Sequence, residues 1–114
     1  MRHDRLEAMT KGWFVGDFVP RSLHSNDCEV AIKHYKAGDH EAAHYHKVAT
    51  EITAIVSGDV EMLGRRWGAG DILTIEPGET TDFRALTDVV TVVVKVPSAP
   101  DDKYIVADSV DARS

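Results

Sequence analysis

With 114 residues, 43% hydrophobic and 28% charged, the chain is expected to form one globular domain around one core. Its formal charge of −6 excludes a broad grip on a phosphate backbone, so no nucleic-acid partner is expected. A single cysteine, Cys28, excludes an intrachain disulfide, and no run nears the ~18 apolar residues of a membrane span.

Residues 1–10 are charged around Leu6 and Met9 and read as a short helix or an arm. MRHDRLEAMTKGW has no apolar stretch of signal-peptide length, so a cytoplasmic location is the default. Residues 12–18 form a first strand ended by Pro20, and 21–27 are turn-rich. CEVAIKHYK, 28–36, alternates Val30, Ile32 and His34 against Glu29, Ala31, Lys33 and Tyr35, the period of a strand. KAGDHE turns around Gly38. Residues 43–46 form a short strand, residues 47–49 reverse the chain, and TEITAIVS, 50–57, is a β-branched strand. Gly58-Asp59 turns into VEML. Leu63 to Arg66 is a second turn, with Arg65-Arg66 solvated. Strands follow at 71–75 and 80–85, separated by the turn Glu76-Pro77-Gly78-Glu79. VVTVVVKV, 89–96, is the most strand-like stretch, and 98–114 read as an acidic, loosely attached tail. Roughly eight short strands with regular turns predict an all-β sandwich or closed barrel.

The chemistry concentrates at 38–58, GDHEAAHYHKVATEITAIVSG. Residues i and i+2 of a strand share a face, so His44 and His46 present two imidazoles to one point, with Glu51 just beyond. Imidazole plus carboxylate suits Zn, Fe, Ni, Cu or Mn.

This stretch resembles the first motif of the cupins: Gly38, five residues, His44-Tyr45-His46, four residues, Glu51, six residues, Gly58. GDILTIEPGETT, 70–81, resembles the second motif in part. Gly70 and Gly78 fit, Glu76 replaces the first proline, and Thr81 stands where the family often has its last metal-binding histidine. The resemblance covers about residues 12 to 97 and implies a single cupin domain: a double-stranded β-helix, or jelly-roll barrel, with its site inside. It further implies that His44, His46 and Glu51 hold a divalent transition-metal ion, with Fe, Mn, Ni and Zn all admitted. Three protein ligands with open positions resemble a catalytic site more than a closed structural one.

Three functional readings follow. One is a metal-dependent enzyme, of oxygenase or isomerase type, acting on a small polar molecule. Another is a non-catalytic module binding a sugar or nucleotide sugar. The third is a metal-free isomerase or epimerase using His34 or His44 as base, where an imidazole of pKa near ~6.5 suits proton transfer. His34 alternatively serves as a core or rim histidine. Thr81 and Phe83 share a face and are candidates to line the substrate pocket, with Asp82 turned away. His3, His24 and His40 are expected at the surface, Cys28 buried, and Trp13 and Trp67 in the core or an interface. Strand 50–57 places Glu51, Thr53 and Ile55 inward and Ile52, Ala54 and Val56 outward. That apolar outer face needs cover, so a homodimer is expected, with the strand of Trp13 and Phe14 a candidate for exchange between subunits.

Overall fold

The structure, a computed structural model, describes residues 1–106. Two short 3₁₀ turns, Leu6–Ala8 and Thr10–Gly12, lead into eleven strands. These are β1 (Trp13–Gly16), β2 (Leu23–His24), β3 (Glu29–Tyr35), β4 (His40–Tyr45), β5 (Thr50–Ser57) and β6 (Asp59–Met62). They continue with β7 (Arg65–Gly68), β8 (Ile72–Ile75), β9 (Thr81–Ala85), β10 (Val89–Val96) and β11 (Tyr104–Ile105). One sheet has six strands in the order β2-β1-β3-β10-β5-β8, and the other five, β11-β4-β9-β6-β7. All pairings are antiparallel except the short β1–β2 contact. The fold is the expected jelly roll, and among the described residues no helix is long and apolar enough to cross a membrane.

The two inner faces differ along the barrel. One end is closed by Ile55, Val60, Met62, Ile75, Phe83, Ala85 and Val89, which form the apolar core. Burying such side chains contributes about 1.5–3 kcal/mol each and holds the sheets together. Toward the other end the inward positions turn polar. Register places Glu29, Lys33 and Tyr35 of β3, Thr91 and Lys95 of β10, and Glu51 and Thr53 of β5 on the inner face. The outer face of the same sheet carries Val30, Ile32, Ile52, Ala54, Val90, Val92 and Val94, each half-buried, with Val56 and Ile72 more exposed. Strand β1 pairs with β3 of its own chain.

Several expectations need correction. Arg65 and Arg66 lie in β7 rather than a turn, because the reversal is completed by Leu63 and Gly64 at positive φ. Cys28 is only half-buried. The tail is not loose over its described part: β11 adds to the edge of β4, and Asp102 is 6% exposed. Residues 107–114 of that tail lie outside the described residues.

Candidate metal centre

The polar end of the barrel encloses a cavity of about 760 Å³. His44 lies on β4 directly opposite Thr81 of β9, while Glu51 belongs to β5 of the other sheet. His46 sits in the reversal that joins the two sheets. The three residues are 5%, 1% and 9% exposed for His44, His46 and Glu51, so solvent does not satisfy them. One ligand atom from each lies within 4.8 Å of the others.

Each side chain is aimed by its neighbours. His44 Nδ1 donates to the Ala42 carbonyl at 2.7 Å, which leaves Nε2 with a free lone pair facing the cavity. The His44 and His46 rings are 5.3 Å apart and nearly perpendicular. Glu51 Oε2 accepts from the Thr53 hydroxyl at 3.2 Å, and Glu51 Oε1 stands 3.9 Å from His46 Nε2. Neither ring nitrogen of His46 has a hydrogen-bond partner. A buried imidazole left unpaired costs free energy, and donors of this kind fit a divalent transition metal. Burial, then the charge of Lys95, pushes His46 down to about 4, so its ring is neutral near pH 7 and able to ligate.

The reversal carrying His46 is pinned from two sides. The Gly78 N–H donates to the His46 carbonyl at 2.7 Å. Opposite it, the Asp102 carboxylate accepts from the N–H groups of Lys47, Val48 and Ala49 at 2.9, 3.0 and 2.9 Å. Tyr104 of β11 stacks on Tyr45 and receives Lys47 over its ring.

Thr81 and Phe83 both line the cavity, 1% and 7% exposed, while the Asp82 carboxylate turns away to accept from the Leu63 N–H. The Thr81 hydroxyl reaches only the Asp82 carbonyl, at 3.3 Å. His34 is different. Strand alternation turns Lys33 and Tyr35 inward and His34 outward, where it is exposed. It borders the cavity mouth and is not part of the His44–His46–Glu51 cluster.

Residues that sequence reasoning passed over complete the wall. The Tyr35 hydroxyl donates to Glu41 Oε2 at 2.6 Å, and Lys103 Nζ reaches Glu41 Oε1 at 3.2 Å. Burial alone raises Glu41, but the Tyr35 hydrogen bond and the charges of Lys103 and Lys33 outweigh it and bring the carboxyl to about 2. Burial and Glu41 hold the Tyr35 phenol protonated well above its ordinary range. Lys33 and Lys95 converge on Trp13, each ammonium 5.1 Å from the ring centroid. The signal for these residues was available: on a strand of period two, Lys33 and Tyr35, or Thr91 and Lys95, share a face.

No family model matches the chain, and no curated protein matches it. Solved structures do. A conserved protein with a double-stranded β-helix domain from Klebsiella pneumoniae is similar over 65% of this chain and 66% of its own, at 26% identity and a TM-score of 0.61. A cupin protein from Bacteroides fragilis is similar over 65% and 69%, at 27% identity and a TM-score of 0.53. DMSP lyase DddQ from Ruegeria pomeroyi shares the fold over 72% of this chain and 44% of the enzyme, at 23% identity and a TM-score of 0.61. The matched part is thus just under two thirds of the Klebsiella chain and less than half of the lyase. Barrel topology, motif spacing and these likenesses agree, and the chain belongs to the cupin superfamily.

Proposed function

We propose that the chain is a small metal-binding cupin, an enzyme acting on a small polar metabolite at a centre formed by His44, His46 and Glu51. The observation that carries this is the buried His46 ring with both nitrogens unpartnered, beside a lone pair of His44 and a carboxylate oxygen. An ion bound there supplies Lewis-acid or redox chemistry, so oxygenase and isomerase reactions both fit. The occurrence of a lyase among the fold neighbours supports an enzymatic use of the cavity. The chain's own residues bind and orient. Thr53 holds Glu51, Ala42 fixes the His44 tautomer, and Thr81 and Phe83 shape the wall where Thr81 stands in place of a fourth ligand.

The test is metal content and affinity of the purified protein. We expect about one divalent ion per chain. His46→Ala should weaken zinc binding by more than the ~10–100-fold typical of losing a ligand's supporting partner. Equal zinc affinity in wild type and His46→Ala would end this reading.

The working form we propose is a homodimer built on the apolar outer face of the six-stranded sheet. Its valines and isoleucines form a patch of the kind that monomers rarely leave open, and a second copy offers a matching flat face. Sedimentation should give a dimer, and Val92→Glu, at the middle of that face, should give a folded monomer. A monomeric wild type at micromolar concentration would refute the arrangement.

A further inference from the structure

The cavity holds more positive charge than the metal cluster uses. Lys33 and Lys95 come from adjacent strands, both inward, and both ammonium groups stand 5.1 Å from the centroid of the Trp13 ring. Both side chains are partly withdrawn from solvent, and neither forms an ion pair among the described residues. The nearby carboxylates already have hydrogen-bond partners of their own, although the charge of Glu41 also acts on Lys33. Glu41 is held by Tyr35 and Lys103, and Glu51 by Thr53 within the His44–His46 cluster. Two like charges sharing one aromatic ring repel each other, and burial removes the water that would screen them. Burial pulls Lys33 below the ordinary lysine range against the opposing charge of Glu41, and the charges of Lys103, Lys95 and Lys11 add to the lowering. A second observation points the same way. Thr91 lies across from Lys33, lines the cavity and is fully buried, yet its hydroxyl has no hydrogen-bond partner.

We infer that Lys33 and Lys95, beside Trp13, form an oxyanion subsite that binds the carboxylate or phosphate group of the ligand, with the Thr91 hydroxyl as a further donor. An oxyanion seated there neutralises both ammonium groups and gives Thr91 an acceptor. It also sets the ligand's remaining part toward His44, His46 and Glu51, which line the same cavity. The assignment deepens the reading above by naming the class of molecule, a small organic anion. A neutral sugar would leave both lysines unpaired.

The experiment is calorimetric titration of the full chain, zinc-loaded and zinc-free, with succinate, glycerol 3-phosphate and the neutral succinamide. Binding of succinate identifies a carboxylate ligand and binding of glycerol 3-phosphate a phosphate ligand; succinamide should not bind. Lys33→Met and Lys95→Met keep the apolar stems on Trp13 and remove the charges. Each should weaken anion binding by about thirtyfold or more, the equivalent of ~2 kcal/mol for a lost buried charge partner. Lys33→Arg and Lys95→Arg should retain binding, which separates a charge effect from misfolding. Anion affinity unchanged in both methionine variants, or no anion binding in either zinc state, overturns the subsite. If zinc fails to bind but succinate binds through the lysines, the metal reading fails and the subsite stands.

Discussion

Replacing Asp102 with alanine should lower the melting temperature by about 10 °C or more and weaken zinc binding as well. The carboxylate is 6% exposed and accepts three backbone N–H groups from consecutive residues, Lys47, Val48 and Ala49. Hydrogen bonds to a charged group contribute about 1.5–3 kcal/mol each, and the three share one acceptor, so a combined loss of about 3 kcal/mol is expected. For a domain of this size that corresponds to roughly 4 °C per kcal/mol. The effect reaches the site because the three residues lie between His46 and Glu51. Loss of the clamp frees the reversal that sets one imidazole against the carboxylate. Asp102 is therefore a positioning residue, and zinc affinity is the readout that a remote stability defect would not move. Asp102→Asn should be milder, since its single oxygen can still serve the paired Val48 and Ala49 donors. The pH dependence follows from the same contacts. Burial pushes the Asp102 carboxyl up, but the three N–H donors outweigh it and hold the pKa below the ordinary 3.8. A carboxyl depressed in the folded state contributes stability above its unfolded pKa and loses it as pH falls through the folded value. Wild type should thus lose stability on acidification below about pH 4, and Asp102→Asn should lose less over that window. Unchanged melting and unchanged zinc affinity in Asp102→Ala would show that the C-terminal segment is an ornament of the barrel rather than a support of its site.

That clamp also marks where sequence reading ran out. β-Branched content located β5 and β10 at their true ends, and alternation set Glu51, Thr53 and Ile55 on the inner face. The spacing from Gly38 to Gly58 foretold that His44, His46 and Glu51 meet. Both rest on local rules, strand pleat and tight turns, which a linear string carries. Asp102 is more than fifty positions from its partners, and a lone aspartate in an acidic stretch looks like any solvated one. Which face of β3 points inward stays open in the sequence for a different reason. Alternation reveals two faces but not which is the core, and hydrophobicity is a guide only when one face meets water. Here β3 runs along the end of the barrel that houses the site, so its inner positions Glu29, Lys33 and Tyr35 are polar while Val30 and Ile32 on its outer face are apolar. The row containing Lys33 and Tyr35 therefore faces in, while that of Val30, Ile32 and His34 faces out.

The glycine that closes the first motif can be separated from the one that opens it. Gly58→Ala should cost about 3 kcal/mol or more, whereas Gly38→Ala should cost only about 1 kcal/mol. Both residues have positive φ, +90° at Gly58 and +93° at Gly38, so alanine is strained at either position. Their surroundings differ. A Cβ on Gly58 would stand 2.2 Å from the Asp88 carbonyl oxygen and 2.9 Å from both Thr87 Oγ1 and Val89 Cγ2. A Cβ on Gly38 would meet nothing within 4 Å. The first of the Gly58 clashes is with backbone, which cannot rotate away, so β6 or the 87–89 segment must move. That movement would disturb two anchors at once: the Asp59 N–H donates to Thr87 Oγ1 at 3.0 Å, and Val89 belongs to the apolar core. Gly58 is also the point where the chain leaves β5 of the six-stranded sheet for β6 of the other, so a shift there propagates into both layers. Urea melts of the two single variants measure the difference directly. Equal destabilisation would mean that backbone conformation alone dictates these glycines, and that the close approach at the barrel corner relaxes freely.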